Sequence, residues 1–200
     1  MIIVSIFSLI PEAYTYLNNK TLNSIILIIL LINIGFIISQ VIDTFIDKII
    51  NNTSLYKLGI LSSITLIIHN IPEGIITFLT TSNNLSLGIT TSISIALHNI
   101  PEGIAIAVPI YYATNSRKKA FLYTFITGFS EFLGSIIALI FLNKLFIINL
   151  SIILGLTAGI MLHLSIFKIL PKSLEFNNVK LSTLGFITGF IMIIICLILI

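Results

Sequence analysis

The chain has 200 residues, of which 57% are hydrophobic and 8% are charged, with a formal net charge of +3. Its mean hydropathy is +1.17, whereas about a quarter of the residues of a soluble domain are charged. These values exclude an ordinary soluble domain and indicate an integral membrane protein. The excess of basic residues does not point to nucleic acid, because Lys and Arg stand at the ends of apolar segments.

Seven apolar segments follow one another along the chain, each near the length of about 20 residues that a membrane-spanning helix needs. Open sheet edges are not tolerated in lipid, so every span is predicted to be α-helical. Short Asn-rich stretches, at 18–20, 83–84 and 177–178 among others, predict the turns. The predicted fold is an all-α membrane bundle with a single transmembrane domain over residues 1–200, and its spans are 1–17, 22–46, 58–80, 87–112, 118–142, 147–170 and 180–200.

The distribution of Lys and Arg predicts the orientation of this bundle in the membrane. Eight basic residues fall on the side of the loops after spans two, four and six, and two fall on the other side. Basic residues mark the cytoplasmic side, so we expect a multi-pass protein of the cell membrane whose carboxyl terminus lies outside the cytoplasm. The eight are Lys48, Lys57, Arg117, Lys118, Lys119, Lys168, Lys172 and Lys180, and the two are Lys20 and Lys144.

Two internal repeats are visible. The first pairs TLIIHNIPEGI with SIALHNIPEGI, 29 residues apart, and the second pairs MIIVSIFSLIP with MLHLSIFKILP, 160 residues apart. By the span count the two members of each pair run in opposite directions, and inverted repeats place a substrate site where the halves meet. The helix that precedes Met161 has no counterpart before Met1, so we expect about seven helices of an eight-helix pattern.

Each copy of HNIPEG puts a histidine and a glutamate four residues apart, on one face of a helix. The pairs are His69 with Glu73 and His98 with Glu102. Two such pairs in the middle of consecutive apolar spans predict a metal-binding site inside the membrane. A structural role for a buried histidine does not explain the doubled pattern.

The asparagine beside each histidine is rotated by about 100° around the helix, so Asn70 and Asn99 can serve an adjacent position. Glu131, in the next span, is taken as the only other acid deep in an apolar helix. Gly74 and Gly103 carry no side chain, and we expect them to let the two motif helices approach closely and face each other.

The chemistry of these ligands favours a divalent cation. A charge at mid-bilayer costs at least about 2.5–3.5 kcal/mol, so the three glutamates are expected to be protonated or bound to cations. Imidazole with carboxylate suits Zn²⁺ or Fe²⁺, with Mn²⁺, Co²⁺ and Cd²⁺ also possible, and the absence of thiolate ligands argues against Cu(I). The metal is expected as substrate and not as a cofactor.

Other functions use similar residues. An intramembrane metalloprotease needs HExxH or an equivalent, whereas this chain has HxxxE with a proline inside, so we do not expect an enzyme. A passive metal channel and a metal-sensing membrane protein use the same ligands and remain open. His163 is read either as structural or as part of a gate, and Asp43 and Asp47 as solvated charges at the interface.

The doubled HNIPEG, the linker TTSNNLSLG, the stretch IYYATNSRKKA and the following GFSEFLG closely resemble the ZIP family of divalent-metal transporters, particularly its bacterial ZupT-type branch. That family has eight helices in a 3+2+3 arrangement with inverted repeats, so the resemblance implies that this chain begins inside the second helix. It also implies a binuclear centre. One site would be formed by His69, Glu73, His98 and Glu102, and a second by Asn70, Asn99 and Glu131, with Glu73 and Glu102 bridging.

The resemblance further implies uptake of metal into the cytoplasm, with spans three, four and five sliding against the others. The family carries acidic residues near the ends of its second and seventh helices, where this chain has Ser8 and Lys168, so the likeness does not extend to an acidic path there. A chain without the first helix would be a truncated gene model, a degenerate copy that binds metal without transport, or a protein completed by homo-oligomerisation. The lipid bilayer and divalent metal ions are the other expected partners, and nucleic acid is not.

Overall fold

The computed structural model describes residues 1–17, 21–51, 53–141, 144–175 and 179–199, and the predicted turns at 18–20 and 177–178 lie outside them. The described chain forms seven helices, which confirms the predicted all-helical fold. Five helical stretches are long and apolar enough to cross a membrane, whereas Ile2–Thr15 and Val179–Ile195 are shorter. The helices are α1 (Ile2–Thr15), α2 (Leu22–Ile49), α3 (Ser54–Asn83), α4 (Leu85–Thr114), α5 (Arg117–Ile140), α6 (144–174) and α7 (Val179–Leu199).

Small polar residues begin the three central helices. The side chains of Thr53, Asn84 and Ser116 each accept a hydrogen bond from a backbone N–H one turn into α3, α4 and α5. Asn115, which ends α4, is left-handed with a φ of 50°, a conformation that asparagine tolerates better than most residues. The polar turns between spans therefore act as helix caps.

The helices pack in two groups. In the first, which we call the motif block, α3 lies against both α4 and α5. In the second, the support block, α6 lies against α1 and α2. Helix α7 packs mainly against α4, and α3 also contacts α6. The two copies of HNIPEG are therefore both in the motif block.

A pair of glycines brings two helices together in each block. In the motif block, a Cβ added to Gly74 or Gly134 would lie 1.8 Å or 2.1 Å from a carbonyl oxygen of the facing helix, α5 or α3. In the support block, a Cβ on Gly35 or Gly159 would lie 2.0 Å from a carbonyl oxygen of α6 or α2. The helices of each pair therefore meet backbone to backbone, as small residues allow in membrane bundles.

The second internal repeat has a shared backbone conformation. Ser5–Leu9 in α1 and Leu164–Ile169 in α6 are both π-helical, and each is followed within two residues by a proline. A π-helical turn contains one more residue than an α-helical turn, and π-helical turns and prolines both interrupt the regular hydrogen bonds of an α-helix. The two segments are thus alike in structure as well as in sequence.

These two repeat segments also run in opposite directions. Ser151, near the start of α6, donates a 2.6 Å hydrogen bond to the carbonyl oxygen of Ala13 at the end of α1. At the other end of α1, Met1 packs against a cluster that contains Leu164. The antiparallel arrangement agrees with the inverted repeat predicted from the sequence.

Apolar side chains cover the outside of the bundle. Phe121, Phe125 and Phe129 form an exposed ladder along α5, with ring centroids 5.8 Å and 6.1 Å apart, and exposed Ile, Leu and Phe are frequent along α2 and α7. Soluble proteins rarely expose a continuous apolar surface of this extent. These faces are suited to contact lipid tails.

Ion pairs connect the ends of α2, α3 and α6 on the predicted cytoplasmic side. Lys57 on α3 lies 2.9 Å from the Asp47 carboxylate on α2, and Lys168 on α6 pairs with Asp43. The reading of Asp43 and Asp47 as solvated charges at the interface agrees with the structure for Asp47, whose side chain is 53% exposed. The Asp43 side chain is only 17% exposed and lies against Lys168. Just inside these pairs, Ile46, Leu61 and Leu164 form a small buried cluster.

Candidate metal centre

Helices α3 and α4 bring three ligand-type side chains together in the interior. Nε2 of His98 lies 2.8 Å from Oε1 of Glu73, and Nε2 of His69 lies 3.1 Å from the same oxygen. Ligand atoms of these three residues all lie within 4.8 Å of one another, and all three side chains are buried. Nitrogen and oxygen atoms at this spacing suit a single divalent cation.

Glu102 stands beside this group. Its Oε1 lies 3.6 Å from Nε2 of His69, and neither of its oxygens has a hydrogen-bond partner among the described residues. Among the same residues, one oxygen of Glu73 and both ring nitrogens of His69 also have no hydrogen-bond partner. Buried polar atoms are normally paired, because an unpaired one costs about 1–3 kcal/mol. Their concentration at one point fits a site built to hold a cation.

The asparagines of the two motifs turn towards α5. Asn99 donates a 2.9 Å hydrogen bond to Oε2 of Glu131, and Asn70 donates a 3.1 Å hydrogen bond to the carbonyl oxygen of Thr127. The side-chain oxygen of each asparagine is buried without a partner among the described residues. A cavity of about 60 Å³ lies here, lined by both asparagines and Glu102. Glu102 therefore borders both the histidine cluster and a smaller cavity that both asparagines also line.

A larger cavity of about 180 Å³ leads from the histidine cluster towards the predicted outer side. Glu73 and His98 line its inner end, and Thr80 and Leu87, at the α3–α4 turn, line its outer end. Ser8 and Glu12 of α1 line it as well. The cavity lies between the two blocks.

Glu12 is not among the site residues predicted from the sequence. The prediction that Glu131 is the only other acid deep in an apolar helix is wrong, since Glu12 faces the same cavity as Glu73. A signal was present, because Ile10-Pro11-Glu12 repeats the Ile-Pro-Glu of both HNIPEG motifs. The sequence alone does not identify Glu12 as an interior residue, because it stands close to the end of a short apolar segment.

His163 does not join the metal-type cluster. Its Nδ1 lies 2.8 Å from Oγ of Ser39, and its ring packs edge-on against Phe36 and parallel to Phe167. It therefore fills the α2–α6 interface inside the support block, which favours the structural reading over a gate.

The two motif glycines behave differently from the expectation. Gly74 contacts the backbone of α5 and not the other motif helix, whereas the nearest atom to a Cβ on Gly103 would be a methyl carbon of Thr124, at 3.3 Å. The motifs meet through their charged side chains instead. The expectation that the two motifs face each other is therefore confirmed, whereas the close backbone contact of Gly74 is made with α5 and not with the other motif helix.

Comparison with known proteins agrees with this architecture. The family model described as ZIP Zinc transporter matches residues 52–197. A protein of Oceanobacillus iheyensis named zinc transporter ZupT is 46% identical over 154 residues, which are 75% of this chain and 56% of that relative. Proteins of the same name from Clostridium perfringens and Campylobacter jejuni are 42% and 45% identical, covering 75% and 70% of this chain and 53% and 48% of their own lengths.

The chain spans about half the length of the curated relatives it matches. The matched family comprises transporters and not enzymes, in agreement with the absence of a metalloprotease motif from the sequence. The family match covers well over half of the chain and includes both copies of HNIPEG and Glu131. This all-helical, multi-pass membrane chain therefore belongs to the ZIP family.

Proposed function

We propose that this chain carries divalent metal ions, Zn²⁺ foremost, across the cell membrane into the cytoplasm. The observation that supports this most is the buried group of His69, Glu73 and His98, with Glu102 at 3.6 Å from His69 and no hydrogen-bond partner among the described residues. Buried carboxylates with unpaired oxygens in the middle of a membrane bundle are stabilised when a cation occupies the site.

The metal residues divide into two adjacent positions. His69, Glu73, His98 and Glu102 form the first, and Asn70, Asn99 and Glu131 contribute to the second. The 60 Å³ cavity bordered by Glu102 and both asparagines supports this division, as does the contact between Asn99 and Glu131. Glu73 and Glu102 are the carboxylates that serve both ions.

The two ends of the bundle support the proposed uptake into the cytoplasm. The 180 Å³ cavity reaches Glu73 and His98 from the predicted outer side, whereas the apolar cluster of Ile46, Leu61 and Leu164 and the Lys57–Asp47 pair close the cytoplasmic side. This arrangement supports a conformation that is accessible from outside. Movement of the motif block against the support block then exposes the cluster to the cytoplasm.

Residues 1–200 act as a single transmembrane domain, with the carboxyl terminus outside the cytoplasm, in contact with the bilayer. Homo-oligomerisation is included because α2, α5 and α7 present broad apolar faces. Fe²⁺, Mn²⁺, Co²⁺ and Cd²⁺ are further substrates that the same ligands accept.

The test uses the purified chain and its Glu73→Gln variant. Zinc binding is measured by calorimetry in detergent, and zinc uptake is measured in proteoliposomes as a function of zinc concentration. We expect binding and saturable uptake by the wild type, and loss of both in the variant. Uptake that never saturates would favour a channel, binding without uptake would favour a sensor or degenerate copy, and absence of zinc binding would overturn the proposal.

A further inference from the structure

The first turn of α5 carries three basic side chains that make no ion pair within the described chain. All seven acidic residues of the protein lie in its described part. The three acids on the predicted cytoplasmic side are each paired with a lysine of α3 or α6. The side chains of Arg117, Lys118 and Lys119 are exposed and take part in none of these pairs. Three neighbouring positive charges therefore have no counter-charge from the chain's own acidic side chains.

This basic group continues into an apolar stripe on the same face of α5. Arg117, Phe121, Phe125 and Phe129 follow one another at intervals of four residues, so they share one face of the helix. The three phenylalanines are 69%, 55% and 45% exposed, and their rings stack along the helix. A parallel stripe of exposed aliphatic side chains begins at Lys118. The helix therefore presents charge at its first turn and an apolar surface below it.

The order of these surfaces matches the profile of one leaflet of a bilayer. Tyr112, near the end of α4, is 67% exposed, and tyrosine is enriched at the level of the lipid head groups. Phe121 and Phe129 are about 12 Å apart along the helix axis, at a rise of about 1.5 Å per residue. One leaflet contributes roughly 15 Å to a hydrocarbon core of about 30 Å. The stripe is therefore long enough to follow most of one acyl chain.

We propose that the first turns of α5 bind an anionic phospholipid of the cytoplasmic leaflet. The phosphate of its head group lies among Arg117, Lys118 and Lys119, and an acyl chain runs along the phenylalanine stripe. A guanidinium matches the geometry of phosphate oxygens and can donate two parallel hydrogen bonds to them. Because α5 belongs to the motif block, the lipid contacts the block that carries both copies of HNIPEG.

Charge complementarity favours this occupant over the two others that could cover the stripe. A lipid without net charge would cover the phenylalanines and leave the three positive charges uncompensated. A second copy of this chain offers two exposed acids, Asp47 and Glu175, and each is already paired with a lysine of its own chain. An anionic lipid supplies both the apolar chain and the negative charge.

The experiment titrates the purified chain, in an uncharged detergent, with phosphatidylglycerol that carries short acyl chains. Native mass spectrometry gives the number of lipids bound per chain and their affinity. We expect one phosphatidylglycerol to bind more tightly than phosphatidylcholine with the same acyl chains. A basic residue close to an anionic lipid strengthens binding by about fivefold, so Arg117→Gln/Lys118→Gln should weaken phosphatidylglycerol binding by about 25-fold.

A matched control separates this site from the general effect of net charge. Lys48→Gln/Lys180→Gln removes the same number of charges, at exposed lysines of α2 and α7 that also make no ion pair among the described residues. We expect its affinity for phosphatidylglycerol to stay within about twofold of wild type, because distant sites behave independently. Thermal unfolding in uncharged detergent should be unchanged in both double variants, since all four side chains are exposed.

Two further measurements separate a lipid from a free anion. Phe121→Ala should weaken phosphatidylglycerol binding, because the acyl chain loses its contact with the ring. Inorganic phosphate at the same concentration as the lipid should not displace it.

Several outcomes would overturn the inference while leaving the proposed function intact. Equal weakening by the two double variants would show that net charge, and not this site, decides lipid binding. Equal binding of phosphatidylcholine and phosphatidylglycerol would contradict the role of the basic group. Displacement by inorganic phosphate would assign that group to a free anion. A dimer that dissociates in Arg117→Gln/Lys118→Gln would assign the face to a second copy of the chain.

Discussion

The two copies of HNIPEG have the same six residues but lie in different surroundings. In the apolar window of α3, 72% of residues are buried, against 39% in that of α4. The first copy is enclosed between α4, α5 and α6, and the second has one side towards the lipid. Identical motifs therefore have unequal roles, and the place of each helix in the bundle decides the difference.

The inequality is clearest at the two glutamates. Glu73 contacts both histidines, at 3.1 Å and 2.8 Å, whereas Glu102 approaches only His69, at 3.6 Å. Glu102 in turn borders the smaller cavity with the asparagines, and Glu73 borders the outer cavity. The glutamate of the first copy lies at the centre of the histidine cluster. The glutamate of the second copy lies between that cluster and the cavity lined by the asparagines.

The largest effect is expected at Glu73. Glu73→Gln removes the charge that both histidines face, so zinc affinity should fall by more than about 100-fold, while Glu102→Gln should lower it by about tenfold, since even changes behind the ligands cost about 10–100-fold. Calorimetry on the two purified variants measures this. Equal losses would mean that the motifs are equivalent and that the geometric difference between them has no consequence.

The matched glycines provide the next comparison. Gly74→Ala places a Cβ against a carbonyl oxygen of α5 and forces α3 and α5 apart, at a cost of about 1–3 kcal/mol or more. Gly103→Ala meets only a methyl group at 3.3 Å and gains helix propensity of up to about 1 kcal/mol. Thermal unfolding in detergent should therefore show a lower midpoint for Gly74→Ala and an unchanged or higher one for Gly103→Ala. The reverse order would contradict the packing.

Glu131 distinguishes the two proposed metal positions, because it is expected to serve only the second. It contacts Asn99 and not the histidine cluster, so Glu131→Ala should leave one zinc ion bound per chain and reduce transport. Elemental analysis of the purified protein gives the stoichiometry, and Glu175→Ala serves as a control at an exposed acid. Loss of all bound zinc in Glu131→Ala would show that the two positions are not separable.

The smallest effect concerns the third histidine. Ser39→Ala removes the hydrogen-bond partner of His163 inside the support block, which should lower the free energy of unfolding by about 1 kcal/mol. Zinc affinity should stay within about twofold of wild type, because separate sites behave independently. A large change in affinity would connect His163 to the metal residues.

Much of this architecture could be predicted from the sequence, because membrane spans follow from length and hydropathy and the ligands from their spacing on a helix. The i, i+4 rule places His69 beside Glu73 without tertiary information. It gives no contact between helices, and so the shared position of Glu73 between His69 and His98 required the structure. Gly103 shows the same limit, since a glycine in a sequence does not reveal whether another backbone lies next to it.

The surroundings of the Glu12 and Asp43 side chains could not be predicted from the sequence for a related reason. Both were judged by their distance from the end of an apolar segment, which measures depth in the membrane but not the direction of the side chain. The faces of α1 and α2 are set by how they pack on α6, a contact between residues more than a hundred positions apart. Single-sequence periodicity contains no record of such contacts.

The glycine pairs have a mechanical consequence. Where two helices touch through backbone atoms, no side chain is present to change rotamer, so the α3–α5 pair and the α2–α6 pair each behave as one stiff unit. Contacts between the units consist of side chains, such as Lys57 with Asp47 and the buried cluster of Ile46, Leu61 and Leu164, and of a cavity. Side chains can change rotamer and repack, which backbone contacts cannot do. Because the units are stiff, any deformation is concentrated at their boundary. A shift of one unit by a few ångströms therefore changes the surroundings of the glutamates that lie on that boundary.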